Sequence, residues 1–319
     1  MDRIALFGAA GAIGGSIAAE LRSKGRAYRV VGRGRGELER NFGSDPRVEI
    51  VTWNPDDPAS VRAAARGVDT IFYLVGVPYW QFELHPQLMR KTLEGAIAEG
   101  VQRIVLIGTV YPFGQARTER VSEDHPREPH TFKGRMRKEQ EDLVLEADAR
   151  GEIHGTILRL PDFYGPNVEK SFLASAFHAA ISGGRAQLVG PIDTPHEFVY
   201  VPDVGPVAVA LAEEPRAFGR AWNFAGPGAI TVREFVERIF REAGQKPKYI
   251  VANKTMLRLM GLFSPLMREM VEMNYLFETS VIMDDSGICG LLGNVRKTAY
   301  ADGIRETLRV MRLQVSKAA

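Results

Sequence analysis

A chain of 319 residues, 45% hydrophobic and 25% charged, is long enough for one large α/β domain or for a nucleotide-binding domain carrying a smaller lobe. Its formal net charge of +2 lacks the basic excess that would point to a nucleic-acid partner. The single cysteine, Cys289, excludes an internal disulfide framework, fits a reducing cytoplasmic setting and has no neighbours that would make it a nucleophile.

Taken in chain order, Arg3 and the run IALFGAAGAIGGSIAA have the outline of a signal sequence. The glycines, however, fall where a strand turns into a helix, and that helix continues into charged AAELRSKG without a cleavage site. The run therefore reads as the first strand and helix of a cytoplasmic protein. Strand-like RIALFG, RVVGRG, VEIVTW, TIFYLVG and RIVLIGT alternate with helical GGSIAAELRSKG, PASVRAAARG and a helix over 86–99. Alternation of this kind predicts an α/β fold with a Rossmann-type, doubly wound parallel sheet. The strands are short and apolar on both faces, as strands covered by helices should be. Residues 112–130, polar and proline-rich, predict a loop over the site, and beyond about 225 the pattern turns to helices. The implied division is a dinucleotide-binding domain over 1–165, to which 194–224 returns, and a mostly helical substrate lobe made of 166–193 and 225–319. No run of about 20 uninterrupted apolar residues exists, which argues against a transmembrane span.

GAAGAIGG sets Gly8, Gly11 and Gly14 in a G-x-x-G-x-x-G spacing, with Ala10, Ala12 and Ile13 between them, directly after a strand and at the start of a helix. A side chain at such a turn would block a pyrophosphate, while the helix N-terminus offers N–H donors and the positive end of its dipole. That context makes the loop a dinucleotide site. The second strand runs into Arg33 and Arg35 with no carboxylate before Glu37. A guanidinium forks onto a 2′-phosphate where a carboxylate would repel it, so the reading favours NADP(H) over NAD.

These motifs resemble the extended short-chain dehydrogenase/reductases, the NAD-dependent epimerase/dehydratase family. Beside the glycine loop, TWNPDDPASV places Asn54 where that family usually has Asp, and TVYPFG puts Thr109 in its serine position. LRLPDFYGPN resembles its R-x-x-x-x-Y-G-P motif, and HEFVYVPDVGPVAVAL and WNFAGPGAITVREFVERIF continue the match in order, over roughly 3–245. The resemblance implies that Leu74, Val75, Gly76, Thr109, Lys133 and Leu160 also border the cofactor.

The family's catalytic tyrosine and lysine, four residues apart, are missing: EPHTFKGRMRKEQED places Lys133 at the tyrosine, Arg137 at the lysine and Glu141 on the following helix. Spacing of four keeps Lys133 and Arg137 on one helical face. The groups left for the chemistry are Thr109 as a hydrogen-bond donor, Lys133 as an acid or a ribose contact, Arg137 as a binding group and Tyr164 in FYGP. Tyr111 falls at a family position that is mostly structural, and His130 is a lone loop histidine just upstream of Lys133. No His, Cys or carboxylate set has metal-ligand spacing.

Five of the ten methionines lie between 256 and 273, spaced at three and four on both sides of Pro265, which predicts two short amphipathic helices. They suit a lobe core, a homodimer face or an adaptable pocket for a partly apolar small molecule. A membrane-surface helix would carry a lysine-rich face, which this segment lacks. The resulting expectation is an oxidoreductase or epimerase acting on a small carbonyl or hydroxyl compound with a replaced acid. The alternative is a non-catalytic NADP(H)-binding regulator or assembly protein.

Overall fold

Every residue of Ile4–Phe7 (β1) is buried, and its side chains alternate between two cores, Ile4 and Leu6 on one face and Ala5 and Phe7 on the other. The period-two alternation of a strand forces this split when helices cover both faces of a sheet. The computed structural model describes residues 3–169, 171–293 and 295–318. After β1 come α1 (Ala12–Ser23), β2 (Tyr28–Gly32), α2 (Arg35–Phe42), β3 (Val48–Thr52), α3 (Pro58–Ala65) and β4 (Thr70–Tyr73). A short 3-10 turn at Tyr79–Gln81 leads to α4 (Leu84–Ala98), β5 (Arg103–Thr109), α5 (Phe132–Ala149) and β6 (His154–Leu160). The helix starts are chemically marked: Asp57 caps α3 with Pro58 following it, and Thr131 caps α5 by accepting from the Gly134 N–H at 3.0 Å.

The second half contains β7 (Asp162–Tyr164), α6 (Ala174–Ser182), β8 (Ala186–Val189), β9 (Pro195–His196), β10 (Phe198–Tyr200) and α7 (Val201–Glu213). It continues with β11 (Arg220–Asn223), β12 (Ile230–Thr231), α8 (Val232–Glu242) and β13 (Tyr249–Ala252). The last helices are α9 (Lys254–Met260), α10 (Pro265–Met273), α11 (Tyr275–Glu278), α12 (Ser286–Leu292) and α13 (Tyr300–Ala318). The two methionine-rich helices thus flank Pro265, which opens α10 at a position where a missing N–H costs nothing.

Seven parallel strands form the main sheet in the order β11-β6-β5-β4-β1-β2-β3. This is the doubly wound sheet that the alternation implies, with a helical C-terminal region beside it. The order reverses between β1 and β4, and a sheet of this kind binds ligands in the crevice beyond the carboxyl ends of its strands at that point. Among the described residues, three two-stranded ribbons, β10-β7, β12-β9 and β13-β8, stand apart from the main sheet, and the sequence pattern did not reveal them. No helix among the described residues is long and apolar enough to cross a membrane.

Helices α1 and α7 cross with almost nothing between them. A Cβ on Gly205 would lie 2.3 Å from the Ser16 carbonyl oxygen, and the Gly205 N–H donates to Ser16 Oγ at 3.0 Å. In the first turn of α7, Asp203 accepts from both the N–H and the hydroxyl of Thr298, at 2.6 and 2.8 Å, tying the C-terminal segment to the same helix. The 112–130 loop is clipped to that segment as well. Val121 pairs with Met283 as an isolated parallel bridge and packs with Val110, Phe113 and Tyr275 in a small core.

Candidate active site

The glycine loop and the end of β4 meet at backbone distance. A Cβ on Gly8 would fall 2.7 Å from Val75 Cα, and Gly8 has φ +84°, a left-handed conformation that glycine alone adopts cheaply. Leu74 donates its N–H to the Phe7 carbonyl at 2.8 Å, which fixes the two strand ends side by side. Gly14 sits under the turn, where a Cβ would be 2.1 Å from the Ala9 carbonyl oxygen. Gly11 and Gly76, by contrast, face open space: a Cβ on either has nothing within 4 Å.

Ala12, Ile13 and Gly14 make the first turn of α1, and its N-cap, Gly11, supplies no side-chain cap. Their N–H groups are orphan donors with the helix dipole behind them, which suits an anion. Ala10 closes the loop by accepting from Asn41 Nδ2 at 3.2 Å. An open cradle whose floor is backbone, with donors at one side, fits a dinucleotide pyrophosphate.

At the end of β2, Arg33 is exposed and forms no hydrogen bond or ion pair among the described residues. Arg35 starts α2 and is engaged with Glu39 at 2.7 Å, so of the two arginines Arg33 is the one left free. Asn54 is occupied locally, its Oδ1 accepting from the Asp56 N–H at 3.0 Å and its own N–H donating to Ser60 Oγ at 2.9 Å.

Thr109 ends β5 in register with Leu160 of β6, over the same edge of the sheet as the cradle. Lys133, in the first turn of α5, is completely buried. Its ammonium contacts Glu269, lies 2.5 Å from Glu272 Oε2 and stands 5.8 Å over the Phe82 ring, while its N–H donates to Glu272 Oε1 at 3.1 Å. Both carboxylates come from α10, so the methionine-rich hairpin reaches across the site. Arg137 is buried beside it, donating to Gln140 at 2.7 Å, to the Ile107 carbonyl at 3.0 Å and to His85 Nδ1 at 3.2 Å. Burial, and then the Arg137 charge, pushes His85 well below its ordinary value, which leaves Nδ1 free to accept. Gly134 lets α5 close on the segment after β5: a Cβ there would meet the Tyr111 carbonyl at 2.8 Å.

A phenol pair joins that segment to the 3-10 turn after β4. The hydroxyls of Tyr79 and Tyr111 are 2.9 Å apart, and the Tyr111 N–H donates to Thr109 Oγ1 at 3.3 Å. Burial, the neighbouring Tyr79 and the Asp162 charge hold Tyr111 well above the usual phenol range, and burial raises Tyr79 too. Both therefore carry their protons at neutral pH. Asp162 is in turn bonded to His196 Nε2 at 2.6 Å. Among the described residues no group of His, Cys, Asp and Glu is placed to hold a metal.

Comparison with known proteins follows the same lines. The profile of the NAD dependent epimerase/dehydratase family matches residues 4–225. The chain belongs to this family. It is 25% identical over 255 residues to a dTDP-6-deoxy-L-talose 4-dehydrogenase (NAD(P)(+)) of Kitasatospora kifunensis, covering 76% of this chain and 79% of that one. It is 26% identical over 248 residues, 77% of this chain and 76% of the other, to a (4-alkanoyl-5-oxo-2,5-dihydrofuran-3-yl)methyl phosphate reductase of Streptomyces griseus. Among solved structures, DesIV (dTDP-glucose 4,6-dehydratase) from Streptomyces venezuelae with NAD and TYD bound superposes with a TM-score of 0.81 at 19% identity, over 99% of this chain and 98% of that one.

Within the family pattern, the structure sorts the remaining residues. Tyr164 is 1% exposed and packs among Phe177, Tyr200, Phe235 and Tyr300. Burial raises its phenol far up, and its hydroxyl has no hydrogen-bond partner among the described residues, so it is a packing residue here. His130 is exposed and meets the Tyr275 ring edge-on at 4.6 Å. Cys289 is half-buried, and burial raises its thiol, the opposite of an activated thiolate. Tyr79, Asp162 and His196 went unnoticed in the sequence. The only signal for Tyr79 was an aromatic cluster, YWQF, just after the fourth strand.

Proposed function

We propose that the protein is an NADP(H)-dependent oxidoreductase that interconverts a small, partly apolar carbonyl compound and its alcohol. In this reading 1–165 and 194–224 hold the cofactor, 166–193 and 225–319 form the substrate lobe, and Tyr111 supplies the proton that the family's missing tyrosine would have supplied. What carries the reading is the hydroxyl pair of Tyr79 and Tyr111, 2.9 Å apart, the latter on a residue whose main-chain N–H is tied to Thr109 at the carboxyl edge of the sheet. Lys133, in the tyrosine's place, has its protons committed to Glu269 and Glu272 and is a poor donor to anything else. The curated relatives named a dehydrogenase and a reductase support redox chemistry over epimerisation.

The first turn of α1 and the open backbone at Gly11 and Gly76 would hold the pyrophosphate, and Arg33 the 2′-phosphate. When bound, the nicotinamide supplies or accepts the hydride. Thr109 orients the substrate oxygen. Tyr111 gives that oxygen its proton, Tyr79 returns one to Tyr111, and Tyr79 recovers one from water at the cleft. Proton transfer from a placed acid is worth about 10²–10⁴ in rate.

The test is NADPH oxidation at the nicotinamide absorbance, with benzaldehyde, 2,3-butanedione and phenanthrenequinone as probes, together with NADPH affinity by fluorescence. Tyr111→Phe is expected to lower kcat/KM by about 10²-fold while NADPH affinity stays unchanged; unchanged turnover would remove Tyr111 from the mechanism. A protein that binds NADPH and oxidises it with none of these probes would favour the non-catalytic NADP(H)-binding regulator, the reading that the ion-paired Lys133 supports. Arg33→Asp is expected to weaken NADPH by about 10–150-fold, the loss of one charge-assisted contact of about 1.5–3 kcal/mol, and NADH far less. Equal losses for the two cofactors would sink the phosphate assignment.

A further inference from the structure

The hairpin of α9 and α10 projects apolar side chains with no cover. Phe263 is 91% exposed, Leu262 75% and Leu259 61%, and Met256, Met260 and Leu266 are exposed beside them. Scattered surface leucines need no explanation, whereas six apolar residues on one tip do. The sharpest exposure falls on the turn between the helices, so the shape is convex, a wedge rather than a groove.

The N–H groups of the turn are satisfied from within the hairpin. The N–H groups of Gly261, Leu262, Phe263 and Ser264 donate to the carbonyls of Leu257, Leu259, Met260 and Met260, at 2.8, 3.2, 3.1 and 3.0 Å. Pro265 has no N–H, and Ser264 takes up the next free donors, its Oγ accepting from Met267 at 3.4 Å and its carbonyl from Arg268 at 3.1 Å. Each N–H group satisfied in this way lowers the cost of bringing irregular backbone to an apolar phase. The two helices are pinned together at Gly261, where a Cβ would lie 3.0 Å from Arg268 Cα.

The charges around the tip are all of one sign. From 254 to 268 the chain carries Lys254, Arg258 and Arg268 and no carboxylate. Lys254 is paired with Glu278 at 3.0 Å, whereas Arg258 and Arg268 are exposed and form no hydrogen bond or ion pair among the described residues. The basic face sought in the sequence as lysines is made of two arginines at the base of the wedge. A second copy docked on this tip would set arginines against arginines, because the carboxylates at its base are already engaged, Glu269 and Glu272 with Lys133 and Glu278 with Lys254. An anionic lipid surface meets both needs: acyl chains for Leu262 and Phe263, and phosphates for guanidinium groups that hold an interfacial helix in place.

We propose that the α9–α10 tip is a membrane-docking element, which inserts Leu262 and Phe263 into the surface of a bilayer containing anionic lipid while Arg258 and Arg268 sit at the level of its phosphates. This goes beyond the proposed redox activity and does not depend on it. The test uses the full chain in flotation assays with vesicles of phosphatidylcholine alone and of phosphatidylcholine with about 30 mol% phosphatidylglycerol. Expected is binding to the anionic vesicles, weakened at high salt, and reduced by about tenfold or more in the double variant Leu262→Asp/Phe263→Asp. Arg258→Glu/Arg268→Glu should do the same, with NADPH affinity and melting temperature unchanged in both. A Phe263→Trp variant should shift its fluorescence to the blue only with anionic vesicles. Three results would overturn the proposal: no binding to either vesicle, equal binding by the aspartate variant, or a dimer in solution that the aspartate variant dissociates.

Discussion

A Gly11→Val protein is expected to fold normally and to lose dinucleotide affinity by more than about 100-fold, since the lost backbone contacts to the pyrophosphate are charge-assisted and several act together. Gly11 has φ −78° and ψ 170°, an extended conformation that valine adopts readily, and nothing stands within 4 Å of its missing Cβ. The new isopropyl group therefore strains nothing in the free protein and fills the space that the phosphates would occupy. Thermal unfolding should move by only about 3 °C, the effect of a kcal/mol or so at the helix N-cap of a domain this size. Gly14→Val is the contrasting substitution, because its Cβ would strike the Ala9 carbonyl at 2.1 Å and the loop itself would have to move. Retained NADPH affinity in Gly11→Val, measured by fluorescence titration, would mean that the cradle is not the phosphate site.

Replacing Arg159 by leucine is expected to cost about 3–5 kcal/mol of stability, the usual penalty for stranding one member of a buried ion pair. Arg159 is 1% exposed and forks onto Glu141, Nε to Oε1 at 2.9 Å and Nη2 to Oε2 at 2.7 Å, with its guanidinium 4.7 Å over the Phe113 ring. The pair fastens α5, which carries Lys133 and Arg137, to β6. Glu141 keeps one further contact in the variant, Arg127 at 3.2 Å, which moderates the loss without repairing it. In urea unfolding the double variant Arg159→Leu/Glu141→Leu should recover most of the deficit, because apolar residues can replace a buried pair at little net cost. A single variant as stable as the parent would mean that the pair is not what holds this helix to the sheet.

These two residues differ in how far the sequence announced them. Gly11 was legible because a glycine-rich turn, set between a strand and a helix, leaves its trace within a few consecutive residues. Arg159 and Glu141 were visible only as positions in family motifs, and neither position says that the two are partners across 18 residues. The parallel sheet was legible from continuous apolar runs, whereas the two- and three-residue ribbons in the lobe are too short for any alternation to register. Tyr79 and Tyr111 stand 32 residues apart, and Lys133 stands 136 and 139 residues from its carboxylates. Nothing local in the chain encodes such contacts. They arise from where the strands end and from how the C-terminal hairpin folds back, and the ring packing around Tyr164 has the same origin.

The bare crossing of α1 and α7 at Gly205 fixes which parts of the molecule are free to move. With Ser16 and Gly205 in backbone contact and Asp203 fastened to Thr298, the helix behind the glycine loop and the start of the C-terminal segment form one rigid frame. Neither helix can slide past the other without a collision of main chains. Any opening that admits a ligand must therefore hinge elsewhere, and the elements fastened to the site by side chains alone are those of the α9–α10 hairpin, joined to α5 through Glu269, Glu272 and Lys133. The frame is an anvil, and the hairpin is laid across it.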